Sequence, residues 1–471
     1  MADDEPDPRR WKALAVCLVA GFMTLLDVSI VNVALPSIQD GLDASEGELQ
    51  WIVSGYALTF GLLLVPAGRI GDARGRRWMF IVGVALFTAA SAGCGLAPSA
   101  PALVALRLLQ GFAGGLVTPQ VSGLIQSLFQ GQERAKAFGF FGTVVATSTA
   151  IGPVLGGALI AIFGEEHGWR GVFFVNLPIG LLALVLAMRY LPAPTPEQRE
   201  PSSLDPVGVL LLGATVVCVL LPFIEQRTWP AEVRYALFPV AGLLLVVWVL
   251  HERRYGRTHE PLVSLDLFSI RAYVLGAGVG LLYFAGFTGT FFILTQYLQD
   301  GLGYTAWQAG LAATPFAIGA AITASIGTSR VLQRGRKLVA FGLSTVIAGF
   351  LLTWIVVGLE PGDDVAFYTA LPLLIAGLGG GLVLAPNQTL SLADVPVRRA
   401  GSAGGVLQTG QRIGSAAGIA VTGSVFYGRL AENGGDFAAA FRAGLMIIAG
   451  LVAMALALAV FDAVTRSIQP R

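Results

Sequence analysis

Asp27 stands in "LLDVSIVNVALP" (residues 25–36), deep in an apolar run that extends from Trp11 to Pro36. On the most lenient scale a charge at such depth in a bilayer costs about 2.5 kcal/mol, and intramembrane carboxylates are by default proton or ion carriers. The chemistry that one such group can perform is reversible protonation. Arg107 is the second charge inside an apolar run. At about 1.5 Å of rise per residue, Arg107 lies roughly 8 Å from the start of its run and Asp27 roughly 13 Å from the finish of its own, both ends being on the outer side. Their depths permit a contact, although Asp27 could equally pair with another neighbour and Arg107 could bind backbone carbonyls. Arg412, roughly 16 Å into a later run, suits a structural or gating role. Asn32, Gln296, Gln299, Asn387, Gln408 and Gln411 are polar residues that could face a central cavity, and Trp51, Tyr56 and Phe60 offer aromatic faces to a cation. Each of these taken singly is more often a packing or interfacial residue.

Other chemistries find little to work with. His167 and His259 fall in expected loops and His251 at the very end of a run, without metal-ligand spacing. "GLGGG" (Gly377 to Gly381) lies within an apolar run and lacks the Gly-Lys-Ser/Thr ending of a phosphate loop. Cys17, Cys94 and Cys218 are all in apolar runs, so no disulfide is expected. The expectation is a protein that is not an enzyme and uses no cofactor or metal.

The elements that must hold Asp27 and Arg107 follow from composition. The chain has 471 residues, 55% hydrophobic and only 13% charged, against about 25% charged in soluble domains. Crossing a bilayer takes roughly 20 apolar residues in a helix. Fourteen such runs occur, near residues 11–36, 49–68, 78–97, 102–127, 137–163, 172–191, 206–224, 235–251, 272–296, 306–329, 338–358, 365–387, 401–427 and 440–461. Of the thirty Lys and Arg, twenty-three fall in alternate segments on the side of the N-terminus, which places both termini in the cytoplasm. The net charge of +1 therefore gives no reason to expect a nucleic-acid partner. The first run follows a basic stretch but is too long for a signal peptide and has no small-residue cleavage site; it is read as a retained span.

Two long loops, Pro192 to Asp205 and Glu252 to Arg271, bracket two spans between six before and six after. The fold expected is an all-α polytopic membrane protein of plan 6 + 2 + 6. Residues 1–191 would form one six-helix bundle, 192–271 the linkers and two additional helices, and 272–471 the second bundle. "RGRRW" (Arg74 to Trp78) and "RGRKL" (Arg334 to Leu338) fall at equivalent places in the two bundles, as in the duplicated halves of secondary transporters. Gly152 with Gly156, and Gly414 with Gly418, present small helix faces that allow close approach in lipid. Pro153 removes a backbone hydrogen bond and invites a bend in its helix.

"LDVSIVNVALP" (Leu26 to Pro36), "GRIGDARGRR" (Gly68 to Arg77), "RLLQGFAGG" (Arg107 to Gly115), "GPVLGG" (Gly152 to Gly157) and "WRGVFFVNLPIG" (Trp169 to Gly180) occur in order at the expected helix positions. "YLQDGLGYTAWQAGLAATP" (Tyr297 to Pro315) and "GQRIGSAAGIA" (Gly410 to Ala420) add a second-half match. Together they resemble the signature motifs of the major facilitator superfamily, in its fourteen-span drug:proton antiporter branch of multidrug efflux transporters. The resemblance covers nearly the whole chain. It implies the major facilitator fold, a monomer in the plasma membrane and no cofactor. It further implies a proton-coupling role for Arg107, and a gating loop built from Gly68, Asp72, Arg74, Gly75, Arg76 and Arg77. Helix bending and packing would fall to Gly152, Pro153, Gly156 and Gly157. The pattern is departed from at Ser29, where Thr is usual, and at Ala73, where Arg is usual, with Arg74 one place later. The second-half loop has Leu332 where the first has Asp72.

The reading that follows is a proton-coupled antiporter that exports small lipophilic, cationic drugs or antiseptics across the bilayer as two bundles rock about a central site. Proton and substrate would compete for Asp27. The alternatives are an exporter of a lipid or an endogenous metabolite such as an antibiotic, and a membrane sensor that has lost transport.

Overall fold

A computed structural model of the protein describes residues 8–164, 166–193, 205–225 and 229–468. Most of the Pro192 to Asp205 linker, with Arg199, and also Arg227, lie outside the described residues. Among the described residues the regular elements are all helical. In chain order they are α1 (Arg10–Leu42), α2 (Glu46–Arg74), α3 (Arg76–Gly95), α4 (Ala100–Leu128), α5 (Gly131–Phe163), α6 (Gly168–Phe174), α7 (Asn176–Tyr190), α8 (Pro206–Ile224), α9 (Ala231–Tyr255), α10 (Arg271–Gln296), α11 (Ala306–Arg334), α12 (Arg336–Leu359), α13 (Val365–Gly381), α14 (Leu384–Ser391), α15 (Ala400–Glu432) and α16 (Phe437–Ile468).

By length and composition, 12 helical stretches among the described residues could each cross a membrane. Two of them are interrupted: α6 and α7 form one stretch, as do α13 and α14. The helices α11 and α15, of 29 and 33 residues, stand where the runs 306–329 and 401–427 were expected. The segment Ala97 to Pro101 separates α3 from α4, with Ser99 in extended conformation before α4 and a proline in its first turn. That position suits proline, because the amide hydrogen it lacks would have no helical partner there. The first run outlasts its expected limit: α1 continues through Pro36 to Leu42 and ends at Asp43 in the left-handed region, φ 50°.

The chain divides into two compact units. The first comprises Met1–Ala137, Ala158–Ile270 and Val395–Thr409, and the second Phe138–Gly157, Arg271–Asp394 and Gly410–Arg471. Within the first, α4 packs on α2 and α3, α7 on α1 and α3, and α8 on α9. Within the second, α13 packs on α11 and α12, and α16 on α10 and α12. The small face expected on α15 is used in this unit. A methyl group added at Gly414 or Gly418 would sit 2.1 Å from the carbonyl oxygen of Leu281 or Ala285 on α10. Pro153 on α5 meets α11 at Gly310, and Gly157 lies beside Trp307.

The recurring "RGR" motif has a backbone cause. Gly75 joins α2 to α3 at φ 104°, ψ 122°, and Gly335 joins α11 to α12 at φ 52°, ψ −137°. Side chains with a Cβ avoid both conformations. Each glycine turns the chain sharply and sets the arginine after it, Arg76 or Arg336, as the first residue of a helix.

Candidate functional site

Asp27 has no exposed surface, and neither of its oxygens is idle. Oδ2 accepts from Arg107 Nη1 at 2.6 Å, while Oδ1 accepts from Gln110 Nε2 at 2.9 Å and from Asn176 Nδ2 at 2.8 Å. Three helices of the first unit thus converge on one carboxylate: α1 supplies the acid, α4 the guanidinium and one amide, α7 the other amide. Arg107 also donates through Nε to the Ile52 carbonyl at 3.0 Å and through Nη1 to Gln110 Oε1 at 2.7 Å. Its guanidinium lies 4.2 Å from the centre of the Tyr56 ring. The aromatic face expected to receive a substrate cation therefore already holds an internal one. Ser91 and Cys94 on α3 complete the shell. Ser91 Oγ accepts from both amides and donates to the Phe173 carbonyl at 2.9 Å, and Cys94 Sγ donates to Gln110 Oε1.

An isolated charge here would be prohibitively costly, whereas a pair with its remaining valences satisfied is tolerated. The sequence signalled Asp27 and Arg107 by their charge. Gln110 was within reach of sequence reasoning, since it follows Arg107 by three residues and shares its helix face. Asn176 lies in the quoted motif "WRGVFFVNLPIG", where an amide in an apolar run is a weaker sign.

The other polar candidates are distributed elsewhere. Asn32 is exposed and donates to the Val28 carbonyl of its own helix. Gln296 bonds to Asp300 and to the Tyr427 hydroxyl, and Gln299 is half-buried in the turn that follows α10. Gln408 is buried and donates to Ser122 Oγ at 3.1 Å. Gln411 is half-buried beside Gly280, and Arg412 is half-buried on α15.

Asn387 belongs to a second buried ion-pair cluster, in the second unit. Arg336 donates to Asp462 Oδ2 at 2.7 Å, to the Ala272 carbonyl at 2.7 Å and to Asn387 Oδ1, while Asn387 Nδ2 donates to the Gly276 carbonyl. Arg336 counts among the twenty-three basic residues between spans, yet its side chain is 1% exposed. The reason is a shift of the boundary, because Arg336 opens α12 and Asp462 falls one residue past the expected end of the last span.

The loop residues form a third site, in the first unit. Asp72 accepts from the backbone N–H of Gly401 at 3.0 Å and of Ser402 at 2.9 Å, at the start of α15. A carboxylate is well placed against the unpaired amides and positive end of a helix N-terminus. Arg76 pairs with Asp72 at 2.8 Å and donates to the carbonyls of Gly123 and Val397. Arg77 donates to the Met188 carbonyl, and Arg74 is exposed. Gly68 is where the backbones meet, for a methyl group there would lie 2.3 Å from the Gly401 oxygen. Beside this contact, Glu260 in the loop after α9 pairs with Arg69 and with Arg398. The Arg69 hydrogen bond holds the Glu260 carboxyl below its ordinary range. In that same loop Leu262, Val263 and Leu267 are buried.

Residues 17–419 match the family model of the Major Facilitator Superfamily, and the chain belongs to that family. It is a multi-pass membrane transporter rather than an enzyme. It is 37% identical over 443 residues to the Streptomyces coelicolor protein named "Probable actinorhodin transporter", a match covering 92% of this chain and 75% of that one. It is 34% identical over 432 residues to the "Tetracenomycin C resistance and export protein" of Streptomyces glaucescens, covering 90% and 77%. Among solved structures, the human organic anion transporter MFSD10 superposes with a TM-score of 0.68 at 18% identity, over 96% of this chain and all of that one, a likeness of fold.

Proposed function

We propose that this protein is a proton-coupled antiporter that exports lipophilic antibiotics or drugs from the cell. The observation that carries the reading is the buried Asp27–Arg107 pair, an intramembrane carboxylate held at 2.6 Å from its counter-charge. The sequence reading had substrate and proton competing for an accessible carboxylate. With both oxygens engaged and no exposed surface, Asp27 acts by a different route: protonation removes its charge, loosens Arg107 and shifts the balance between conformational states. A proton then couples to transport without cargo touching the acid. Relatives named for tetracenomycin C and actinorhodin favour an antibiotic over a lipid as cargo.

The chain works as fourteen spans with both termini in the cytoplasm, two six-helix bundles (1–191 and 272–471) alternating access around two additional helices. It acts in the plasma membrane as a monomer. Asp72 and Arg76 form the cytoplasmic gate, closed when Asp72 captures the start of α15 and open when it releases. The test uses purified protein in liposomes, an imposed pH gradient and ethidium as probe. The native chain should move dye only when the gradient is present, and an Asp72→Ala variant should move it more slowly. Dye movement of equal rate with and without the gradient would exclude coupling.

A further inference from the structure

The shell around Asp27 is made for an anion. Every group that contacts its oxygens is a donor: Arg107 Nη1, Gln110 Nε2 and Asn176 Nδ2. A carboxylic acid in the same place would have a proton of its own and no acceptor to receive it, which is a costly condition for a buried group. The nearby oxygens are mostly occupied. Gln110 Oε1 accepts from Arg107 and from Cys94, and Ser91 Oγ accepts from both amides. The carbonyl oxygen of Asn176 is different: it is buried and has no hydrogen-bond partner. An orphaned amide oxygen beside a buried carboxylate calls for an explanation.

We propose that Asn176 is the positioning residue that reads the protonation state of Asp27, through a half-turn of its side-chain amide. The inference rests on the proton-coupling reading above. With Asp27 ionised, Nδ2 donates to Asp27 Oδ1 at 2.8 Å and to Ser91 Oγ at 3.0 Å, and Oδ1 of Asn176 is left over. When a proton binds Asp27 Oδ1, the N–H···O bond from Asn176 is lost and a new O–H needs an acceptor. A half-turn exchanges the nearly isosteric nitrogen and oxygen, so the amide oxygen receives the Asp27 O–H and the Ser91 O–H can turn toward it as well.

The proton balance is simple. One O–H bond forms on Asp27, no other group gains or loses a proton, and Asp27 passes from charged to neutral. The titratable groups around Asp27 are Arg107 from α4, which bonds to it, and Cys94 from α3, while Tyr56 from α2 faces Arg107. From α7 comes Asn176, which does not titrate, and from α6 the Phe173 ring, which faces Arg107. Each state leaves one pole of the same amide unpaired, and the proton on Asp27 decides which; when the Ser91 O–H turns, it leaves the Phe173 carbonyl. The half-turn also carries the signal onward, since α7 is tied to α3 through Ser91 in one state by donation and in the other by acceptance.

Infrared difference spectroscopy across pH tests this on the purified full-length protein in lipid. The native chain should gain a carboxylic C=O band on acidification that is missing in Asp27→Asn, together with a change in a side-chain amide C=O band. Carbon-13 labelling of asparagine should shift that amide band, a measurement that needs no variant to fold. In Asn176→Leu the amide change should vanish and the Asp27 band should move to higher wavenumber, having lost its acceptor. A purely structural role for Asn176 would change stability and leave the position of the Asp27 band where it was. An amide band indifferent to the label, or an Asp27 band unmoved in Asn176→Leu, overturns the proposal while leaving Asp27 as proton carrier. Absence of any Asp27 band in the native chain overturns the proton-coupling reading, and this inference with it.

Discussion

Breaking a buried ion pair by removing one partner costs about 3–5 kcal/mol, because the survivor is left charged in a dry site. Asp27→Asn keeps the shape of the side chain but strands Arg107, so it should lower the melting temperature as well as abolish coupling. Replacing both partners, as in Asp27→Asn with Arg107→Gln, should recover much of that stability without recovering coupling. Thermal unfolding of the purified variants in detergent checks this, and equal melting of single variant and native chain would contradict it. Asp27 and Arg107 were legible in the sequence because a charge in an apolar run stands out. Asn176 was not, because an uncharged amide is cheaper to bury and its significance appears only when three helices converge on one acid.

Helices meet through residues whose importance lies in what they lack. Gly68→Ala would put a methyl group 2.3 Å from the Gly401 carbonyl oxygen, on backbone that cannot yield as a side chain would. Overpacking of this kind costs about 1–3 kcal/mol, and the expected result is a lower melting temperature and slower transport, with normal membrane insertion. The loop after α9 offers a pH-dependent test. Glu260 is held below its ordinary value of 4.5 by Arg69. A carboxyl lowered on folding stabilises the folded state above its ordinary value, and that contribution is lost as pH falls through the folded-state value. The native chain should therefore lose slightly more melting temperature than Glu260→Gln between about pH 5 and about pH 3. The difference is small, because Glu260 is half-exposed and screened by solvent. Parallel pH profiles of the two would remove the Glu260 contact from the account. Helix positions were readable from run length, since a bilayer demands a nearly fixed number of apolar residues. Their ends were not, as α1 passing through Pro36 shows, because flanking turns carry no comparable constraint.

At the scale of the whole chain, the two copies of the "RGR" turn use the same backbone device and different partners. In the first copy Arg76 pairs with Asp72 four residues earlier. The second copy has Leu332 at that position, and Arg336 takes its carboxylate from Asp462 on the last helix instead. The sequence shows the repeat and the missing acid, but the replacement lies 126 residues away and needs the fold to be found. The first unit also holds the buried Asp27–Arg107 pair, and it is this pair that is assigned to coupling. The most direct measurement of that assignment is proton movement evoked by cargo. Liposomes containing the purified protein and a trapped pH-sensitive dye would be given ethidium, with no pH gradient imposed. The account predicts a change in lumenal pH for the native chain and none for Asp27→Asn with Arg107→Gln, while Arg336→Gln with Asp462→Asn retains it. A pH change of undiminished size without Asp27 would contradict the account.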